Sequence, residues 1–219
     1  MCEVLLFHQN WLPFKTTGHI ISTMKENQEE KKLFIIRKGL KALYRKGYNA
    51  TGVKEITDAA GIPKGSFYNY FHSKEDFAIA AMQYFTAKEL SVMEEILTDS
   101  ETRPLQRIEN LYRMKIDHFI NRGKFSFGCF LCNITLEMAD VSELIATEAS
   151  TAFAKEYQPI IECLKEAQAK GDLPADRDIE QLTDLLRNSW LGALVIMKAN
   201  KNQQPLESFQ QTLRDVILR

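Results

Sequence analysis

At 219 residues, with 45% hydrophobic and 26% charged side chains, the chain is long enough for one or two domains with a buried core. Six prolines and ten glycines leave long stretches without a breaker, so the composition points to an all-α fold. The net charge of -1 conceals a division, because residues 24–84 carry 11 Lys/Arg against 7 Asp/Glu and residues 85–219 carry 16 against 21. A basic segment on an acidic body suits a small DNA-binding module attached to a larger regulatory one.

Four cysteines (Cys2, Cys129, Cys132, Cys163) make no disulfide framework in a chain of this length, so a reducing cytoplasm is the expected compartment. No apolar run approaches the ~20 residues that span a bilayer, so no membrane partner is expected. The start, MCEVLLFHQNWLPF, lacks the basic region of a signal peptide. Residues 1–23 are read as a disordered or upstream extension, with Met24 the more natural beginning.

From about Gln28 to Lys46, Leu33, Ile36, Leu40, Leu43 and Tyr44 recur at helical spacing, with Lys and Arg on the other face. Gly47 ends this helix in the manner of a left-handed cap. Thr51 offers an N-cap oxygen to a short second helix that buries Val53, Ile56 and Ala60. Gly61 turns the chain, and Pro63 opens a third helix, where a missing N–H costs nothing. Phe67, Tyr70 and Phe71 face inward, which leaves Lys64, Ser66, Tyr68 and Asn69 outside. Ser73 with Asp76 resembles a capping box. The helix it starts runs to about Leu97. Pro104 begins another, to about Asn121. A short helix follows Gly128, and Ser142 caps a long one to about Lys170. Asp176 or Asp178 starts the next, and a last helix covers Leu206–Leu218.

A helix entering the major groove needs a first turn free of bulk, so that its backbone can approach a phosphate. Lys64, Gly65 and Ser66 supply a cation, a bare backbone and a small donor there. Tyr68 and Asn69 reach further, and Asn can pair bidentately with adenine. Thr51, Lys54 and Lys74 flank the groove as phosphate contacts. Any one of these alone is ordinary solvated surface. Together they are specific, because Gly-Ser early in a helix is otherwise poor helix chemistry.

Residues 59–77, AAGIPKGSFYNYFHSKEDF, resemble the signature of the TetR family of bacterial transcriptional regulators. The resemblance implies a three-helix DNA-binding domain with a helix-turn-helix and a larger helical ligand-binding and dimerisation domain. It further implies DNA contact by Thr51, Lys64, Gly65, Ser66, Tyr68, Asn69 and Lys74. Pro63 stands where Ser or Thr is common in the family, and Asn69 where His is frequent. The stretch GCFLCN with Glu137 beyond it is similar to relatives of the N-ethylmaleimide-sensing repressor. The division expected along the chain is 24–72 for DNA binding and 73–219 for ligand binding and dimerisation.

Cys129 and Cys132 form a C-x-x-C without a second ligand pair, so no metal or other cofactor is expected. Near a helix N-terminus, both thiols could have lowered pKa values and react with electrophiles. The alternative is two small buried hydrophobes. Met93, Tyr112, Met114, His118, Phe119, Cys129, Phe130, Cys132, Asn133, Glu137 and Trp190 are candidates to line an effector cavity. Of the non-cysteine members, only His118, Asn133 and Glu137 are costly to bury without a partner. No Ser–His–Asp spacing or Gly-rich phosphate loop supports an enzyme. The last two helices are apolar along their length and suit a four-helix bundle between two copies. The function expected is a homodimeric repressor that binds a palindromic DNA operator and is released by a small molecule or electrophile. The alternatives are an activator of the same fold, or a helical small-molecule-binding protein with a vestigial helix-turn-helix.

Overall fold

The computed structural model describes residues 20–218, and among these there is no strand. The helices are α1 (Ile20–Lys46), α2 (Val53–Ala60), α3 (Lys64–Phe67), α4 (Lys74–Leu97), α5 (Pro104–Asn121), α6 (Phe130–Met138), α7 (Glu143–Ala169), α8 (Ile179–Asn200) and α9 (Gln204–Thr212). A π-helical turn, Leu213–Ile217, continues α9. The all-α expectation is met. Of the extension expected at 1–23, residues 1–19 lie outside the described residues, while 20–23 belong to the first turn of α1.

The described chain divides into two compact units: residues 20–84 with Asn133–Ala149, and Phe85–Cys132 with residues 150–218. Neither is continuous, since the chain crosses from one to the other inside α4, α6 and α7. The structure thus differs from a division at residue 72, because Asn133–Ala149 packs with the N-terminal segment.

In the first unit, Ile35, Ile36, Leu40, Leu43, Ile56, Ala60, Phe67, Phe71 and Phe77 form the core. Leu33, assigned to the buried stripe, is instead 40% exposed; from residue 27 onward, Ile35 is the first buried side chain. The rings of Phe67, Phe71 and Phe77 meet in pairs at 5.1–5.8 Å between centroids. Gly47 leaves α1 at φ +88, as a left-handed cap should. Thr51 does not cap α2. That position is Gly52, whose N–H donates to Glu55 Oε2 at 3.0 Å. Thr51 is fully buried and its hydroxyl donates to the Gly47 carbonyl at 2.7 Å, which closes the α1–α2 turn from within. At the start of α4 Ser73 Oγ accepts the Asp76 N–H at 3.0 Å, and Asp76 Oδ2 reaches one residue further back to accept the His72 N–H at 2.8 Å, a variant of the capping box.

In the second unit Pro104 stands at the start of α5, and Asp178, not Asp176, caps α8 by accepting the Glu180 and Gln181 N–H groups. Tyr112, Trp190 and Phe209 stack around one point, with centroids 5.0–5.2 Å apart. Arg107 is buried but fully engaged. It donates to the Leu97 and Thr102 carbonyls and to both oxygens of Glu166. A buried guanidinium is tolerated when it is paired and bonded in this way.

Candidate nucleic-acid interface and effector region

Gly61, at φ +65, turns the chain from α2 towards α3, and Pro63 enters α3 in extended conformation as its N-cap. α3 itself is one turn, Lys64–Phe67. Beyond it, Asn69 and Tyr70 make three-residue bonds to the carbonyls of Ser66 and Phe67. Gly65, Ser66 and Asn69 are weak helix formers, and the turn is held instead by Phe67 and Phe71, both buried.

This arrangement pushes the residues between those anchors outward. Lys64, Gly65 and Asn69 are exposed, Ser66 is half-buried, and Tyr68 is 51% exposed with its ring edge-on to Phe67. Lys54 is exposed and paired with Asp58 at 2.6 Å. Lys74 is half-buried, its ammonium 4.0 Å from the Tyr48 ring centroid; burial lowers its pKa, against the pull of Glu137 and Glu55. Thr51 is not on this surface, since its hydroxyl is spent inside the turn. Gly65 is the informative position. A Cβ placed there meets nothing within 4 Å, and its backbone is ordinary helix. Nothing in the fold requires a glycine, yet glycine costs about 1 kcal/mol against alanine inside a helix.

Of the eleven candidates for an effector cavity, six fall in or against one hydrophobic cluster and five outside it. Met93, Tyr112, Phe119 and Trp190 belong to the core of the second unit, with Met114 and Cys129 packed against it. Phe130 is buried against Phe85. Asn133 and Glu137 fall in the first unit. There the Glu137 carboxylate accepts backbone N–H bonds from Tyr48 and Asn49. Of the two alternatives open for the thiols, burial favours the unreactive one. Burial raises the pKa of Cys129, with Glu156 adding to it, and burial also raises that of Cys132. Cys129 does cap α6, its sulfur accepting the Cys132 N–H at 3.4 Å, but one weak bond does not offset desolvation.

Sequence reasoning missed the polar cluster of this unit. Lys115 pairs with Glu89 at 3.0 Å, and the two carboxylates Glu89 and Glu156 raise its pKa although burial alone would lower it. Burial pushes the Glu156 carboxyl up to about 8, against Lys115 and with Glu89. Its Oε1 is buried without a partner, and so is Nδ1 of His118, whose pKa burial lowers. The signal was present in the sequence. Lys115 interrupts the stripe Leu111, Tyr112, Ile116, Phe119, and Glu156 interrupts Ala149, Ala152, Ile160. Elsewhere in this unit a groove of about 500 Å³ is lined by Leu97, Arg107, Pro159, Cys163 and Glu166 among others, and by none of the eleven candidates. No cluster of three or more metal-ligating side chains, and no helix long and apolar enough to cross a membrane, occurs among the described residues.

A helical head that exposes a short polar turn, joined to a larger helical unit, defines a helix-turn-helix regulator. The family described as bacterial regulatory proteins of the tetR family matches residues 35–81, and the tetracyclin repressor-like C-terminal domain matches residues 104–213. The chain is 31% identical to the HTH-type transcriptional repressor DhaR of Mycobacterium sp., over 84% of this chain and 90% of that one. It is 27% identical to the HTH-type transcriptional repressor NemR of Escherichia coli, over 88% and 96%. A crystal structure of the regulatory protein TetR from Rhodobacter sphaeroides superposes with a TM-score of 0.76 at 32% identity, covering 83% of this chain and 95% of that one. The protein belongs to the TetR family of transcriptional regulators, which are not enzymes.

Proposed function

We propose that this protein is a homodimeric cytoplasmic repressor that reads a palindromic operator with the α3 turn and is released when a small molecule binds the second unit. Gly65 carries the reading. A glycine that the fold does not need, between exposed Lys64 and half-buried Ser66, keeps the backbone bare for a partner outside the chain. The direct contacts proposed are Lys64, Gly65, Ser66, Tyr68 and Asn69, with Lys54 and Lys74 at the flanks.

Dimerisation is supported by α8 and its neighbour. Leu182, Leu186, Trp190 and Met197 are used inside the unit, but Leu185, Val195, Ile196 and Val216 remain 43–53% exposed. Such a face suits an isologous partner. Two copies would set two α3 turns about 34–36 Å apart, the spacing of successive major grooves. The unpartnered Glu156 and His118 atoms support effector binding in the second unit, since buried polar atoms without a bond cost about 1–3 kcal/mol each. The raised thiol pKa values favour a reversibly bound molecule over an electrophile.

The test is fluorescence anisotropy with duplexes selected by the protein from a random pool, together with in vitro transcription from a promoter that carries the selected site. The reading expects a palindrome, salt-sensitive binding, loss on Lys64→Ala with Tyr68→Ala, and less transcript. Failure to enrich any palindrome overturns the operator reading, and more transcript overturns repression.

A further inference from the structure

The turn from Gly47 to Gly52 sets the direction in which α2, and after it α3, leave α1. Most of its polar groups are tied to neighbours in sequence. Thr51 Oγ1 donates to the Gly47 carbonyl, the Thr51 N–H to the Tyr48 carbonyl, and the Gly52 N–H to Glu55. Two consecutive amides are tied otherwise. The N–H groups of Tyr48 and Asn49 donate to Oε1 and Oε2 of Glu137, at 3.0 and 2.8 Å, across 89 and 88 residues of chain. Both oxygens of one carboxylate thus hold successive amides that follow a left-handed residue, the concave arrangement in which a backbone binds an anion.

A second observation marks the same contact. A Cβ on Gly47 would collide with Glu137 Oε1, so the carboxylate lies directly over the residue whose φ of +88 calls for glycine. Lys74, stacked on the Tyr48 ring, is electrostatically coupled to Glu137 and supplies the balancing charge. The surrounding segment grips the head at two further points, Ser142 Oγ to Glu75 at 2.5 Å and Gln83 Nε2 to Glu148 at 2.9 Å. Neither of those touches the turn.

We infer that Glu137 is a positioning residue for DNA reading: its carboxylate fixes the α1–α2 turn and thereby the register in which α2 and α3 meet a duplex. The inference rests on the DNA-reading function proposed above. Phosphate contacts by flexible lysines survive a small misplacement of the head, whereas base readout by Tyr68 and Asn69 does not. Loss of Glu137 therefore erodes specificity more than affinity for DNA in general.

The experiment compares wild type, Glu137→Gln and Glu137→Ala in binding to the duplex that wild type selects and to a scrambled duplex of equal length. The result expected is a selected-site affinity about 10- to 100-fold weaker for Glu137→Ala, with scrambled-duplex affinity changed less than about twofold, and Glu137→Gln in between. A purely structural role lowers the folded fraction and weakens both duplexes by the same factor. That result, or an unchanged ratio, overturns the inference. If Glu137→Ala does not fold, Glu137→Gln decides by the same ratio. Amide hydrogen exchange at Tyr48 and Asn49, measured without DNA, separates the two readings. If wild type selects no duplex but exchange at both amides is about 10-fold faster in Glu137→Gln, Glu137 holds the turn and the DNA reading has failed. Unchanged exchange overturns the positioning role itself.

Discussion

A Cβ on Gly39 would lie 2.5 Å from Cζ of Phe77 and 2.7 Å from Cγ2 of Ile56, so α1 packs on α2 and α4 at a point where no side chain fits. The Phe77 ring cannot yield easily, because Phe67 and Phe71 hold it at 5.8 and 5.1 Å. Gly39→Ala sets a helix-propensity gain of about 1 kcal/mol against overpacking of about 1–3 kcal/mol. The packing loss wins, and urea denaturation should give a lower midpoint. A midpoint at or above wild type would show that the α1 contact is looser than this geometry.

Gly65→Ala should do the opposite. With open space around the new methyl, the helix gain stands alone, and stability rises by about 0.5–1 kcal/mol. Binding to the selected duplex should fall about 10-fold or more, since the methyl occupies the surface proposed to meet the backbone of DNA. Stability and function thus move in opposite directions at one residue. An alanine variant that binds the duplex as well as wild type would remove the main support for the reading surface.

Cys129 and Cys132 should behave as protonated thiols at neutral pH. Burial raises both pKa values, so the native protein alkylates with iodoacetamide more slowly than the unfolded chain at pH 7.5, and its rate climbs only above the usual thiol range near 9. Mass spectrometry of native and urea-unfolded samples gives both rates. Native labelling faster than unfolded would restore the thiolate sensor.

Which features the sequence could reveal follows from how local their causes are. The Ser73–Asp76 cap, Pro104 at the start of α5 and the Gly47 and Gly61 ends depend on a few adjacent residues, and each is found where the sequence places it. The outward side chains of α3 follow from two buried phenylalanines four residues apart. Thr51 is hard to read because a hydroxyl before a helix has two outlets, and here the competing acceptor is the Gly47 carbonyl one turn back. Glu137 is hidden for a different reason. Its partners are amides 88 and 89 residues away, and no spacing rule reaches that far. The effector candidates draw on aromatic and Met residues that the core consumes, while the lysine and glutamate that interrupt apolar stripes carry the polar chemistry of the second unit.

Glu156 should impose a pH dependence of its own. Its pKa is raised from 4.5 to about 8, so between these values the folded state holds a proton that the unfolded state has released. Stability therefore falls as pH rises through this window, at about 1.4 kcal/mol for each pH unit crossed, and levels off above it. The sign is opposite to that of a salt-bridged carboxylate. Glu156→Gln keeps the neutral shape and abolishes the titration. Lys115 and Glu89 face the same group and stay paired in both proteins, and His118, whose pKa burial lowers, titrates in both. Urea midpoints at pH 5, 6.5 and 8 should diverge, with the Gln variant gaining on wild type as pH rises and the two meeting near pH 4.5. Parallel curves would show that Glu156 reaches water in the folded protein and is not a buried, unpartnered acid.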